Sequence, residues 1–130
     1  MTPSKPLFPP EYAKELLRIA EGDLATAAAL LNSPAPGRIE NIPYMIQQGV
    51  EKAIKCVLIR RQIPFPLVHD IGILIALLPR DGYPPGGFDW TALNPFASIR
   101  RYEEGAMPIT MAEIQSAYDA ALTVIIWAKS

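Results

Sequence analysis

A predicted helix in the middle of the chain carries a row of polar residues on one face, a short way before the protein's single histidine. Gln48, Glu51, Lys52 and Lys55 stand at positions i, i+3, i+4 and i+7, so their side chains follow one line along a helix. The lysines offer ammonium groups to a nucleotide phosphate. The only histidine, His69, follows this helix. An imidazole titrates near neutral pH and can act as a general acid or base on a ribose or a phosphate.

Each of these residues also has a purely structural interpretation. Glu51 and Lys55 are in the favourable i, i+4 order for an intrahelical ion pair worth about 0.2–0.5 kcal/mol. If the row is buried between helices, it can set the register of the bundle or of a dimer. His69 and Asp70 can cap and pack the start of the following helix, where Asp70 competes with any anion for the positive helix end.

Two pairs of adjacent arginines form a second group of candidates. If the fold brings Arg60-Arg61 close to Arg100-Arg101, with Tyr102 able to stack, the group forms a patch for a phosphate and a base. Arginines at helix ends are otherwise solvated and stabilise the helix dipole. The candidate nucleotide- or RNA-binding residues are Lys52, Lys55, Arg61, His69, Arg101 and Tyr102, and the candidate catalytic residue is His69.

Composition and motifs exclude several kinds of site. The formal net charge is −1, so no global basic field attracts nucleic acid and a phosphate contact needs a local cluster. The sole cysteine, Cys56, has no intrachain disulfide partner and lies among apolar residues, which is typical of a core position. The sequence contains no glycine-rich phosphate loop, no metal-ligand set and no nucleophile–base pair, so we expect neither a metal nor a cofactor.

The sequence contains no recognisable membrane or export signal. The N-terminal segment MTPSKPLFPP lacks the apolar stretch of a signal peptide. The longest uncharged apolar run, residues 71–79, is much shorter than the roughly 20 residues that a membrane helix needs. We therefore expect a cytoplasmic protein that does not enter the membrane.

The 14 prolines divide the chain into windows where helices can run unbroken, because a proline inside a helix removes a donor and clashes with the preceding turn. Thr110 and Glu113 predict a capping box at the start of the last window. The predicted helices cover residues 11–32, the segment from Pro43 in a first turn to Arg61, residues 69–78 and residues 110–127, with a short or kinked helix over 90–99.

Short connections between these helices favour antiparallel neighbours, and no pair of strand-like segments is present. The sequence therefore predicts an all-α fold, an up-and-down bundle of four to five helices. Length indicates one domain. We assign residues 1–10 to a flexible N-terminal segment and residues 11–130 to the bundle.

The central segment QQGVEKAIKCVLIRRQIPFPLVHD resembles the signature of HEPN domains, the small helical domains named for their occurrence in higher eukaryotes and prokaryotes. The opening helix with AEGDLATAAALL, the pair Arg101-Tyr102 and the alanine-rich closing helix ITMAEIQSAYDAALTVIIWA are also similar to that family. The resemblance covers residues 11–128. It implies a bundle of about five helices, usually a homodimer. Relatives often act beside a minimal nucleotidyltransferase, in pairs that behave as toxin and antitoxin, and some bind nucleotides.

Other relatives in this family are metal-independent RNases that use an arginine followed about four to six residues later by a histidine at the dimer interface. Here His69 follows Arg61 after seven intervening residues, no histidine follows Arg101, and Val68 takes the place of the family's common threonine. These departures leave enzymatic activity open and favour a binding module. The alternative is an RNase in which His69 works with an arginine across the dimer interface.

Overall fold

The computed structural model describes residues 8–97 and 109–130, and over these ranges the chain is an all-α bundle without strands. This confirms the predicted fold class. None of the helices in the described ranges is long and apolar enough to cross a lipid bilayer. The α-helices are α1 (Glu11–Leu31), α2 (Asn41–Arg60), α3 (Ile71–Ala76) and α4 (Met111–Lys129), and 3₁₀ helices span Arg80–Gly82 and Trp90–Ala97.

Helix α2 is the centre of the bundle. It packs against α1, α3, α4 and the 3₁₀ helix Trp90–Ala97. A surface helix buries only one apolar stripe, whereas α2 has neighbours on several sides. It therefore encloses polar residues as well: Gln47 is 0% and Glu51 2% exposed.

Gly49 permits a close approach of α1 and α2. A Cβ atom at this position would lie 3.0 Å from Leu24 Cδ2 and 3.2 Å from the backbone oxygen of Ala20. A larger side chain would push the two helices apart. The close packing brings Asp23 of α1 within 2.7 Å of Lys52, three residues beyond Gly49 on α2.

The end of α2 redirects the chain toward the middle of the same helix. Gln62 has a φ of 57°, and Ile63 N donates to Leu58 O over 2.9 Å, which is the backbone pattern of a Schellman motif. Phe65 then anchors the returning loop, because the residue is 2% exposed and its ring stacks on Phe8 at a centroid distance of 5.3 Å. The loop ends where His69 contacts α2.

The third helix is shorter than the predicted range of 69–78. Asp70 is its N-cap, with an extended backbone and a side chain that accepts a hydrogen bond from Ile73 N at 3.2 Å. Because a capping residue lies outside the helix it caps, His69 precedes α3 rather than standing in its first turn. The prediction that the third helix begins at His69 is therefore wrong, because α3 begins at Ile71 and Asp70 is its N-cap.

The remaining predicted elements agree with the structure. The helix expected around residues 90–99 is a 3₁₀ helix with Pro95 inside it, described as far as Ala97. The capping box before α4 is present: Glu113 N donates to Thr110 Oγ1 at 3.1 Å, and Thr110 N donates to Glu113 Oε1 at 3.0 Å. The hydrogen bond from the Thr110 backbone stabilises the carboxylate and lowers the pKa of Glu113.

Candidate functional site

A buried carboxylate on α2 is the centre of the polar row. Lys55 Nζ lies 2.9 Å from Glu51 Oε2, His69 Nδ1 lies 3.1 Å from Glu51 Oε1, and Gln47 Nε2 donates to Glu51 Oε1 at 3.2 Å. A carboxylate that is removed from water requires such partners. We refer to Glu51, Gln47, Lys55 and His69 as the Glu51 cluster.

His69 is the exposed member of this cluster, with 71% of its side chain accessible. It is nevertheless held at two points. Its ring contacts the Glu51 carboxylate through Nδ1, and its backbone oxygen accepts a hydrogen bond from Gln47 Nε2 at 2.8 Å. Among the described residues none hydrogen-bonds to its Nε2 atom. With most of its side chain exposed, the imidazole can be reached by a ligand from solution.

Two exposed apolar residues flank His69 in the sequence. Leu67, two residues before it, is 72% exposed, and Ile73, four residues after it, is 45% exposed. Two of the first backbone donors of α3 have side-chain partners, because Ile73 N donates to Asp70 Oδ1 and Ile71 N donates to Asn94 Oδ1, each at 3.2 Å. We therefore place no anion site at the start of this six-residue helix.

The two candidate lysines are engaged in ion pairs. The Lys55 side chain is only 13% exposed, and its ammonium group lies between the Glu51 carboxylate and the ring of Phe65, whose centroid is 5.9 Å away. Lys52 Nζ lies 2.7 Å from Asp23 Oδ2 of α1. These contacts favour the structural interpretation of the polar row, in which the charges join elements of the bundle.

The arginines at the end of α2 lie in a different place. Arg60 donates to the backbone oxygen of Ala128 in the last turn of α4. Arg61 has no carboxylate partner among the described residues, and its guanidinium group covers Gly82. With Val57, Trp127 and Ser130, the two arginines line a cleft of about 260 Å³, which we call the arginine cleft.

The electrostatics of the arginine cleft are mixed. The C-terminal ends of α2 and α4 meet here, since Arg60 reaches Ala128, and the carbonyl groups at a helix C-terminus carry a partial negative charge. Part of the arginine charge is therefore used to stabilise these ends. The second arginine pair and its neighbour, Arg100, Arg101 and Tyr102, lie outside the described residues. The expected proximity of the two arginine pairs therefore stays a prediction.

The structure therefore separates the predicted site residues. His69 and Lys55 meet at Glu51, whereas Lys52 pairs with α1, and Arg61 lies ten residues beyond Glu51 in the sequence. Sequence reasoning missed Gln47, which supports both Glu51 and the His69 backbone. Its position four residues before Glu51 is the signal that indicates a shared helix face.

Two expectations about chemistry concern Cys56 and metals. Cys56 is 1% exposed, and burial raises the pKa of its thiol while the nearby positive charge of Arg60 opposes that rise. A protonated, buried thiol is a packing residue, as predicted. In residues 8–97 and 109–130, no three His, Cys, Asp or Glu side chains are arranged to hold a metal ion.

Comparison with protein families identifies the chain over most of its length. A family model described as the HEPN domain matches residues 13–130, which include both the Glu51 cluster and the arginine cleft. No match to a curated protein or to a solved structure was found. The matched range covers nearly the whole chain, and its all-α bundle agrees with the fold that the resemblance implies. The chain therefore belongs to the HEPN family.

Proposed function

We propose that this HEPN protein is a nucleotide- or RNA-binding module that acts with a minimal nucleotidyltransferase, in a pair of the toxin–antitoxin type. One observation supports the binding role more than any other. The His69 side chain is 71% exposed, yet it is tied to α2 through both its ring and its backbone. Ordering an exposed side chain costs conformational entropy, and a group ordered in advance binds a ligand at lower cost.

The chemistry around His69 suits a nucleotide. An imidazole nitrogen exchanges a hydrogen bond with a ribose hydroxyl, a base edge or a phosphate. The exposed side chains of Leu67 and Ile73 offer apolar surface to the face of a base. With a net charge of −1 there is no general attraction for RNA, so specificity and affinity depend on these local contacts. Arg101 and Tyr102 remain proposed ligand residues on sequence grounds.

A binding titration tests this proposal. The wild-type protein is titrated with ATP and, separately, with a short labelled single-stranded RNA, and the affinities are compared with those of His69→Ala. We expect the variant to bind at least about tenfold more weakly, since a hydrogen bond to a charged ligand is lost. Arg18→Ala is the control, because the exposed Arg18 pairs with Glu15 on the surface of α1. Equal binding by wild type and His69→Ala would place the site elsewhere, and no binding by wild type would remove the proposal.

A metal-independent RNase is the second candidate, and the Glu51–His69 contact favours it. A histidine whose ring is oriented by a carboxylate is the arrangement that a general base requires. The arginine of such a site would come from the second subunit. The test is cleavage of RNA in the presence of a chelator by wild type and by His69→Ala. Cleavage that is lost in the variant supports the enzyme, and intact RNA with both proteins removes it.

A homodimer is part of the proposal, and an apolar groove supports it. Leu24 of α1 and Leu122 and Ile126 of α4 line a groove of about 400 Å³, and Ile126 is 70% exposed. An apolar surface of this kind is typical of an interface, here with a second copy of the chain. We expect light scattering to show a dimer for wild type and a monomer for Ile126→Asp. Met111→Asp, at an exposed apolar residue (44%) in the first turn of α4, is the control outside the groove. A monomeric wild type contradicts the homodimer.

The partnership with a nucleotidyltransferase is tested by co-expression. Where a minimal nucleotidyltransferase is encoded beside this protein, the two chains are produced together and separated by size. Co-elution at the mass of a complex is the expected result. Elution of the two proteins at their separate masses contradicts this part of the proposal.

A further inference from the structure

We propose that Glu51 is a positioning residue, which holds His69 as the tautomer protonated on Nδ1 and leaves Nε2 as an unprotonated acceptor on the surface. The inference rests on the proposed function, in which His69 contacts the ligand. It adds to that function the residue that decides what His69 can do. Without such a partner, either nitrogen of a neutral imidazole can carry the proton.

A series of three hydrogen bonds ends at Glu51, and in each of them the side chain farther from Glu51 is the donor. Lys52 Nζ donates to Gln48 Oε1 at 3.2 Å, Gln48 Nε2 donates to Gln47 Oε1 at 2.7 Å, and Gln47 Nε2 donates to Glu51 Oε1 at 3.2 Å. Because an ammonium group only donates, Gln48 must turn its oxygen toward Lys52 and its amide nitrogen toward Gln47. Gln47 then turns its own oxygen toward Gln48 and its amide nitrogen toward Glu51, so the last group in this series is a donor to Glu51.

The other contacts of Glu51 are also donors. The Lys55 ammonium group lies 2.9 Å from Oε2 and supplies the counter-charge for a carboxylate whose side chain is 3% exposed. An ionised carboxylate accepts hydrogen bonds and cannot donate them. Nδ1 of His69, 3.1 Å from Oε1 and 3.2 Å from Oε2, must therefore carry the proton in this contact.

The state of Nε2 follows from that of Nδ1. A neutral imidazole has a single N–H, so a proton on Nδ1 leaves a lone pair on Nε2. Such a nitrogen accepts a hydrogen bond from a ligand hydroxyl or amino group, or removes a proton from it. The second bond, from Gln47 to the His69 backbone, limits the positions of the ring relative to Glu51. Glu51 therefore acts on the ligand through His69, without touching it.

Nitrogen NMR tests the inference without a ligand. Because the chain has one histidine, its two ring nitrogens can be identified in long-range ¹H–¹⁵N spectra of protein that carries no histidine tag. The spectra are recorded at about pH 8.5, roughly two units above the pKa of an ordinary imidazole. We expect Nδ1 to be protonated and Nε2 to be bare, with the Nδ1–H tautomer favoured about tenfold, as a charge-assisted hydrogen bond implies.

Glu51→Gln is the test variant, because it keeps the shape of the side chain and removes the second acceptor oxygen and the charge. We expect it to lower the tautomer ratio by several-fold, whereas Glu15→Gln, on an exposed face of α1, leaves the ratio unchanged. A wild-type histidine protonated on Nε2 overturns the inference, as does a ratio that Glu51→Gln does not change. If Glu51→Gln fails to fold, the wild-type spectrum still decides.

A second readout separates positioning from direct contact. In the titrations with ATP and RNA, Glu51→Gln is expected to weaken binding in the wild-type background and to have no further effect in the His69→Ala background. An equal loss in both backgrounds would show that Glu51 acts independently of His69, which overturns the inference. A protein that binds neither probe contradicts the proposed function and leaves the tautomer result standing by itself.

Discussion

The Glu51 cluster and the arginine cleft both contain cationic side chains from α2 or its C-cap, but these cations differ in their partners. In the cluster, Lys55 has a carboxylate partner at 2.9 Å. In the cleft, Arg60 has a backbone carbonyl, and Arg61 has no carboxylate among the described residues. The cluster lies in the middle of a helix that is surrounded by other elements, where an unpaired charge is costly. The cleft lies at helix ends open to water, where pairing adds little.

This difference shows that a cation in the sequence does not by itself indicate a ligand site. Lys52 and Lys55 are predicted phosphate ligands by type and spacing. In the structure, however, Lys52 pairs with Asp23 of α1, and Lys55 pairs with Glu51 within α2 and lies over the Phe65 ring of the following loop. The exposed group that these pairs help to position is the imidazole of His69. Arg61 is exposed and cationic, but the described contacts do little to orient it.

The largest expected effect comes from breaking the cluster at its centre. Glu51→Ala leaves Lys55, Gln47 and His69 without their acceptor. Gln47 keeps the His69 backbone oxygen as an acceptor, so the main cost is the uncompensated charge of Lys55. We expect a loss of about 3 kcal/mol in the free energy of unfolding, at the low end for a buried pair, because Lys55 keeps 13% exposure. Urea denaturation measures this loss. Glu15→Ala is the control, since that carboxylate is 55% exposed and pairs with Arg18 on the surface. An unchanged midpoint for Glu51→Ala would contradict the buried ion pair.

A smaller effect sharpens the comparison between paired and unpaired cations. Lys52→Met removes the partner of Asp23, whose side chain is 16% exposed, and we expect a loss of about 1–2 kcal/mol in the free energy of unfolding. Arg61→Met, in the arginine cleft, is expected to change it by less than about 0.5 kcal/mol. Both are read from the same urea titrations. The reverse order of the two variants would contradict the distinction between the regions.

The third effect is local to the arginine cleft. Arg60→Met removes the donor to Ala128 at the end of α4, and we expect the last turn of that helix to lose about 1 kcal/mol of local stability. Hydrogen exchange should then be about fivefold faster for the backbone amides of residues 126–130. Lys129→Met, which removes an exposed pair with Glu21, is the control for loss of charge near the same helix end. If both variants exchange faster than wild type by the same factor, the loss of positive charge, and not the Arg60 contact, is responsible.

The smallest expected effect concerns Glu113, an exposed carboxylate at the start of α4 that lies outside both regions. The hydrogen bond from Thr110 N lowers the pKa of Glu113. The resulting stabilisation is present above the unfolded-state pKa of about 4.3 and is lost as the pH falls through the lower folded-state value. Wild type should therefore lose slightly more stability than Glu113→Gln between about pH 5 and pH 3. Thermal unfolding measures the difference, which salt should weaken. Identical pH profiles would show that the capping carboxylate contributes nothing.

The helices were predictable because their limits are set locally. Proline positions and the Thr110–Glu113 capping box depend on residues within one turn of each other. The exception is α3, where the sequence allowed Asp70 to stand either in the first turn or at the N-cap. The structure makes it the N-cap, and this choice moves His69 out of the helix.

The candidate site was predictable only where its contacts are short in sequence. The Glu51–Lys55 pair follows from helical spacing, and the structure contains it. The contact between Lys52 and Asp23 joins residues 29 positions apart, and Lys52 was equally able to serve a ligand. The support that Gln47 gives to the His69 backbone has no signature in composition or spacing, because it depends on the path of the loop.

By itself, the sequence determined the approximate limits of α1, α2 and α4, which residues share the polar face of α2, and the resemblance to the HEPN family. Only the tertiary structure decided that Lys52 pairs with Asp23 of α1 and that the exposed ring of His69 contacts Glu51. The physical reason is that the cost of leaving a charge unpaired depends on how completely water is excluded. Exclusion around Glu51 comes from α2 being surrounded by other helices, and exposure of His69 comes from the loop that returns to it.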